Sequence, residues 1–182
     1  MDQQEERSKT IWEVVQAEVI TAPRAIHSPT PIATMWFRRH LMPTKKDSDI
    51  YDSKTGYFKN PTAATLENAT KDNRIYVDGK KQGGKLTYVM DDDGNIIIGK
   101  RQNPNDSSKR CPHPTLIGGK NPSVQCAGII EFDKGRILSV NKNSGHFKPN
   151  IKSFDKVKST LQKMCDKNPD LFSPKSEWRK NK

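Results

Sequence analysis

Cysteine is scarce in this sequence: Cys111, Cys126 and Cys165 are the only three among 182 residues. The number is odd, and no C-x-x-C or H-x-x-x-H spacing occurs. A zinc module and a disulfide framework are thereby excluded, and free thiols in a chain made in a reducing compartment are expected. Hydrophobic residues are also sparse, at 32%. That is enough for one modest core, which allows one domain and an arm but not two full enzymes. No run approaches the roughly 18 apolar residues of a membrane-spanning helix. The first 20 residues lack a basic stretch followed by an apolar one, so no conventional signal peptide is expected. Glycine-spaced segments occur without the Lys-Ser/Thr of a P-loop.

Positive charge, by contrast, is plentiful. Lys and Arg number 32 against 21 Asp and Glu, for a formal net charge of +11. The excess is uneven: residues 1–84 carry 13 basic and 11 acidic residues, and residues 85–182 carry 19 and 10. A basic domain attracts polyanions, with nucleic acid the commonest class and an acidic protein or anionic membrane after it. Lysines that merely solvate a helix face account for part of such an excess.

Twelve prolines and eleven glycines punctuate the chain. Residues 1–9 read as frayed, 11–20 as helix or strand, and 21–31 as a proline-interrupted linker. Residues 33–42 form an apolar-basic patch expected to dock on the core through Met35, Trp36 and Leu41. Residues 44–72 are turn-rich, with Tyr51, Tyr57 and Phe58 as anchors. From residue 74 short β segments follow: RIYVDG, KLTYVM, NIIIGKR, AGIIEF and RILSV. Asp93-Gly94 and Asp133-Lys134-Gly135 join two pairs of them as antiparallel hairpins. Ile151, Phe154, Val157, Leu161 and Met164 recur at spacings of three and four, predicting a helix over about residues 152–166 that Asn168-Pro169 ends. The expectation is an α+β fold: a twisted antiparallel sheet built from hairpins, partly barrel-like, with a packed C-terminal helix. A largely irregular N-terminal arm, residues 1–73, precedes the basic domain at 74–182.

Two segments stand apart from ordinary scaffold. In Cys111-Pro112-His113-Pro114-Thr115-Leu116-Ile117-Gly118-Gly119-Lys120, prolines restrict the histidine, and Gly118-Gly119 allows backbone N–H groups to approach another segment or an anion. In Asn141-Lys142-Asn143-Ser144-Gly145-His146-Phe147-Lys148-Pro149, polar residues follow a strand and project from the sheet rim. A His113/His146 pair suits general acid–base work: one removes a ribose 2′-OH proton and the other protonates the leaving 5′-oxygen. Ser144 orients the phosphate, and Lys148, Lys120, Arg101 and Arg110 are candidates to stabilise its charge. Histidines that only cap turns would sit in such loops equally well. Cys111 lies two residues before His113, but nothing in the sequence activates its thiol. Asp91-Asp92-Asp93 reads as a hairpin turn before Gly94 rather than a metal site, and no cofactor is implied.

The ordered set NIIIGKR, HPTLIGG, CAGIIEFDKGRILSV and NSGHFKPNIKSF resembles a domain at the C-terminal ends of secreted bacterial polymorphic toxins and effectors. It is similar as well to the core of plant calmodulin-binding IQ-motif proteins. The matching positions are Gly99, His113, Gly118, Gly119, Ala127, Gly128, Ser144, Gly145, His146 and Pro149, over about residues 84–172. Phe147 stands where the plant proteins have Tyr, and no IQ-type helix is visible, so calmodulin binding does not carry over. The resemblance implies a toxin or effector made in the bacterial cytoplasm and delivered to a target cell, with an acidic immunity protein as partner. Residues 1–73 then suit an export or packaging role. The leading expectation is a metal-independent ribonuclease. Alternatives are a transferase using NAD or another nucleotide, with Glu131 as its carboxylate, and a non-enzymatic module for a host or acidic protein. Alternation along the strand predicts that Glu131 points opposite to Ile130 and Phe132.

Overall fold

The computed structural model describes residues 47–180. The expectations for residues 1–9, 11–20, 21–31 and 33–42 lie outside the described residues. In chain order the strands are β1 (Tyr51–Asp52), β2 (Gly56–Tyr57), β3 (Ala64–Thr65), β4 (Thr70–Lys71), β5 (Arg74–Val77) and β6 (Lys80–Lys81). They continue with β7 (Gly84–Met90), β8 (Ile96–Gly99), β9 (Gln102–Asn103), β10 (Asp106–Arg110), β11 (Cys126–Asp133) and β12 (Arg136–Val140). The helices are α1 (His113–Ile117), α2 (Ile151–Lys167) and α3 (Glu177–Lys180). Among the described residues no helix is long and apolar enough to cross a membrane.

Five strands form one antiparallel sheet in the order β12-β11-β7-β8-β3. β12 and β3 are its edge strands, and the Ile75 amide of β5 donates to the Gly135 carbonyl at the β11–β12 turn at 2.8 Å. Both hairpins read from the sequence are present. Gly94 (φ +88°) turns β7 into β8, and Lys134-Gly135 (φ +51° and +81°) turns β11 into β12. Two positive φ values in succession suit a type I′ turn, whose twist matches that of its strands.

Alternation along the strands divides the core between the two faces of the sheet. Leu86, Tyr88, Met90, Ile96, Ile98, Cys126, Ile130 and Phe132 share one cluster with Val157, Leu161 and Cys165 of α2. Val89 and Ala127, of opposite parity, join Leu116 of α1, Val124 and Phe147 in the second. Glu131 has the parity opposite to its buried neighbours Ile130 and Phe132, and its carboxylate accepts a hydrogen bond from the Ser139 hydroxyl at 3.3 Å. Asn150 caps α2 by accepting the Ser153 amide at 2.8 Å. The apolar face of α2 begins at Phe154, because Ile151 opens the helix 69% exposed.

Residues 50–72, assigned from the sequence to the arm, are part of the folded body. Leu66 and Ala69 enter the first cluster, Ile50 and Tyr57 the second, and β3 is the fifth strand of the sheet. Of the three expected anchors there, Tyr57 is buried, Tyr51 half-buried and Phe58 exposed.

A side chain at Gly128 would collide with the Asn141 carbonyl, a backbone atom that cannot yield without moving the loop after β12. Gly128→Ala is therefore expected to destabilise the fold by about 3 kcal/mol or more, the upper range for overpacking a tight interior. Urea denaturation of the two proteins measures the difference.

Candidate functional site

The site begins with the short helix α1. Pro112 and Pro114 flank His113 and fix its backbone, and Gly118, at φ +76°, ends the helix by donating its N–H to the Pro114 carbonyl. The segment before β3 braces this helix. Lys59 Nζ donates to the Leu116 and Ile117 carbonyls at 2.6 and 3.3 Å, and the Asn60 amide to the Thr115 carbonyl at 2.9 Å. Gly119 and Tyr57 exchange backbone hydrogen bonds, at 2.9 and 2.8 Å. The N–H groups of both Gly118 and Gly119 are thus used within the chain. Of the two roles expected for the glycine pair, close approach to another segment is the one seen, and an anion cradle made of these two donors is not.

His113 is only 6% exposed, and both of its ring nitrogens are engaged. Nε2 lies 2.8 Å from the Gly128 carbonyl oxygen, which can only accept, so Nε2 carries the proton. Nδ1 then accepts from the Ser144 hydroxyl at 3.2 Å. Ser144 Oγ in turn accepts the Phe147 amide at 3.1 Å. The relay joins α1, strand β11 and the loop after β12. Burial foremost, and then the nearby charges of His146 and Arg101, push the His113 pKa from 6.5 down to about 4, against the opposing pull of the Gly128 carbonyl. His113 is therefore a neutral, internal imidazole and not the exposed half of an acid–base pair.

The loop that carries Ser144 is fixed at both ends. The Asn141 carbonyl accepts the Tyr88 hydroxyl at 2.8 Å, and its side chain accepts the amides of Ile129 and Asn143 at 3.1 and 2.9 Å. The Phe147 ring is fully buried in the second core cluster. Between these anchors His146 keeps 29% of its side chain exposed, with Nε2 3.4 Å from Oδ1 of the buried Asp47. Asp47 is the residue that sequence reasoning missed. It stands 99 positions from its partner, with no motif around it.

The structure thus brings His113, Ser144 and His146 together, with Arg101 close enough for its charge to act on His113. Lys148 is exposed two residues beyond His146. Arg110 pairs with Gln102 in the β9–β10 ribbon, whereas the Arg101 carbonyl accepts the Cys111 amide. Lys120 lies near Asp52 of the β1–β2 hairpin instead. Cys111 is fully buried, and burial pushes its thiol pKa up, opposite to what a nucleophile needs. Asp91 accepts the backbone and side-chain N–H groups of Asn95, at 2.7 and 2.9 Å, as a turn-forming residue. A groove between α2 and α3, lined by Asp155, Lys158, Gln162 and Trp178 among others, involves none of the candidate residues.

The depressed His113 pKa fixes the sign of a pH effect. Above about pH 6.5 the imidazole is neutral whether the chain is folded or not. Below that the unfolded chain takes up a proton that the folded chain refuses until about pH 4, so stability is lost as pH falls. Between pH 7 and pH 5 this group is expected to cost about 2 kcal/mol. Urea unfolding at the two pH values measures the loss, and His113→Gln should flatten it.

Comparison with known proteins returns no match to a protein-family model, to a curated protein or to a solved structure.

Proposed function

We propose that the protein is a bacterial toxin or effector whose basic domain cleaves RNA without a metal ion, with His146 as its proton carrier. The observation that carries this reading is the His146–Asp47 pair: a partly exposed imidazole backed by a buried carboxylate, two residues from Ser144. A carboxylate behind a histidine fixes the tautomer and orientation of the ring and stabilises the imidazolium that forms. With Nε2–H directed to Asp47, Nδ1 is the atom that exchanges a proton at the scissile phosphodiester. Arg101 and Lys148 supply positive charge for the phosphoryl oxygens.

The +9 balance of residues 85–182 suits a polyanionic substrate and an acidic immunity protein competing for the same face. The likeness of the HPTLIGG and SGHFKP segments to polymorphic-toxin domains supports the toxin assignment, and with it synthesis in one bacterium and delivery to another cell. The two-histidine mechanism becomes one in which His146 alone exchanges protons directly with the substrate, because His113 is buried between the Gly128 carbonyl and Ser144.

The test is incubation of purified protein with total RNA in excess EDTA. Wild-type protein degrades the RNA, His146→Ala slows degradation by about 10²–10⁴-fold, the usual worth of general acid–base catalysis, and Asp47→Asn slows it less. RNA left intact by the wild type overturns the reading.

A further inference from the structure

We propose that Ser144 is the nucleophile of this site, activated by His113, so that cleavage runs through a covalent phosphoseryl intermediate. The choice of a phosphodiester rests on the reading above, but the nucleophile itself rests on geometry alone. A nucleophilic hydroxyl is recognised by a base within hydrogen-bonding reach and by a third group that holds the base. Here Ser144 Oγ lies 3.2 Å from His113 Nδ1, and His113 Nε2–H is held by the Gly128 carbonyl at 2.8 Å. The tautomer that this carbonyl enforces is the one that leaves a lone pair on Nδ1. The Phe147 amide donates to the same oxygen and stabilises an alkoxide as it develops. Ser144 is partly exposed.

His113 is too enclosed to reach a ribose hydroxyl but lies against the Ser144 hydroxyl; burial disfavours its imidazolium, so it takes the Ser144 proton only as Oγ bonds to phosphorus. As Ser144 Oγ attacks phosphorus, its proton passes to His113 Nδ1. The bond from phosphorus to the leaving nucleoside oxygen breaks, and that oxygen takes a proton from the His146 imidazolium. Water then attacks the phosphoserine and gives one proton to His146. The Oγ–P bond breaks and Ser144 recovers its proton from His113. The net reaction consumes one water and yields a phosphomonoester and an alcohol. Because no 2′-OH takes part, the substrate class widens to phosphodiesters that lack one.

Two measurements test this. A fluorophosphonate probe, which marks activated serines whatever their substrate, should add once to the wild-type protein, on the peptide containing Ser144, as read by mass spectrometry. Ser144→Ala should lose the adduct while keeping the wild-type circular dichroism spectrum, because the buried Phe147 ring still fastens the loop although its amide loses the Ser144 acceptor. In the second arm, RNA and fully 2′-O-methylated RNA of one sequence should be cut at comparable rates. An unlabelled wild-type protein, or a label on another residue, overturns the proposal. So does cleavage of RNA to 2′,3′-cyclic ends with the methylated strand intact, an outcome that leaves the ribonuclease reading standing. Labelled Ser144 with RNA left intact supports the nucleophile and removes the nuclease reading instead.

Discussion

Gly128 has no side chain, and the Asn141 carbonyl occupies the place where one would stand. That close approach brings the loop after β12 back across β11, within reach of α1. The Gly128 carbonyl itself receives His113, and the Asn141 carbonyl receives Tyr88 from the neighbouring strand. Ser144, three residues further on, then meets the other side of the same imidazole. Ser144 and His146 owe their positions to this loop and to the fully buried Phe147 ring that fastens it.

The two faces of the sheet bear different burdens. One is closed by the long helix α2 and the C-terminal segment, through mostly apolar side chains. The other is closed by a five-residue helix and a loop, which leave many backbone groups to satisfy. Lys59, Asn60 and the Gly119–Tyr57 exchange meet that need around α1, and Asn141 meets it in the loop. The polar groups of the site belong to the same accounting. His113 and Ser144 complete the hydrogen bonding of a buried corner, and His146 and Asp47 are set at its opening to solvent.

Much of the sheet was legible because its signals are local. Hairpin glycines, β-branched runs and a three-four apolar spacing each lie within a few residues, and β7, β8, β11, β12 and α2 stand where those signals fall. Residues 50–72 were harder. Strands of two residues have too few positions to show alternation, and Leu66 and Ala69 are buried by distant partners rather than by a pattern of their own. In the site, the two unusual loops were visible and do converge on His113, Ser144 and His146. What each histidine does there was not visible, since burial of one and partial exposure of the other arise from tertiary packing. Asp47 carried no local mark, and the backbone carbonyl that orients His113 belongs to a glycine and is written in no side chain.

The β7–β11 pairing joins strands separated by the β8 hairpin, the β9–β10 ribbon and all of α1. Closing so long a connection carries an entropic cost before its contacts form, so such pairings come late and set the pace of folding. The Gly128 carbonyl lies on the far side of that closure from His113, and Ser144 lies beyond a further hairpin. A chain still emerging from the ribosome, or one with its strands pulled apart, has separate loops and no Ser144–His113 bond. The Ser144–His113 bond is thus among the last contacts the chain acquires, and separating β7 from β11 removes it together with the Gly128 carbonyl that orients the imidazole.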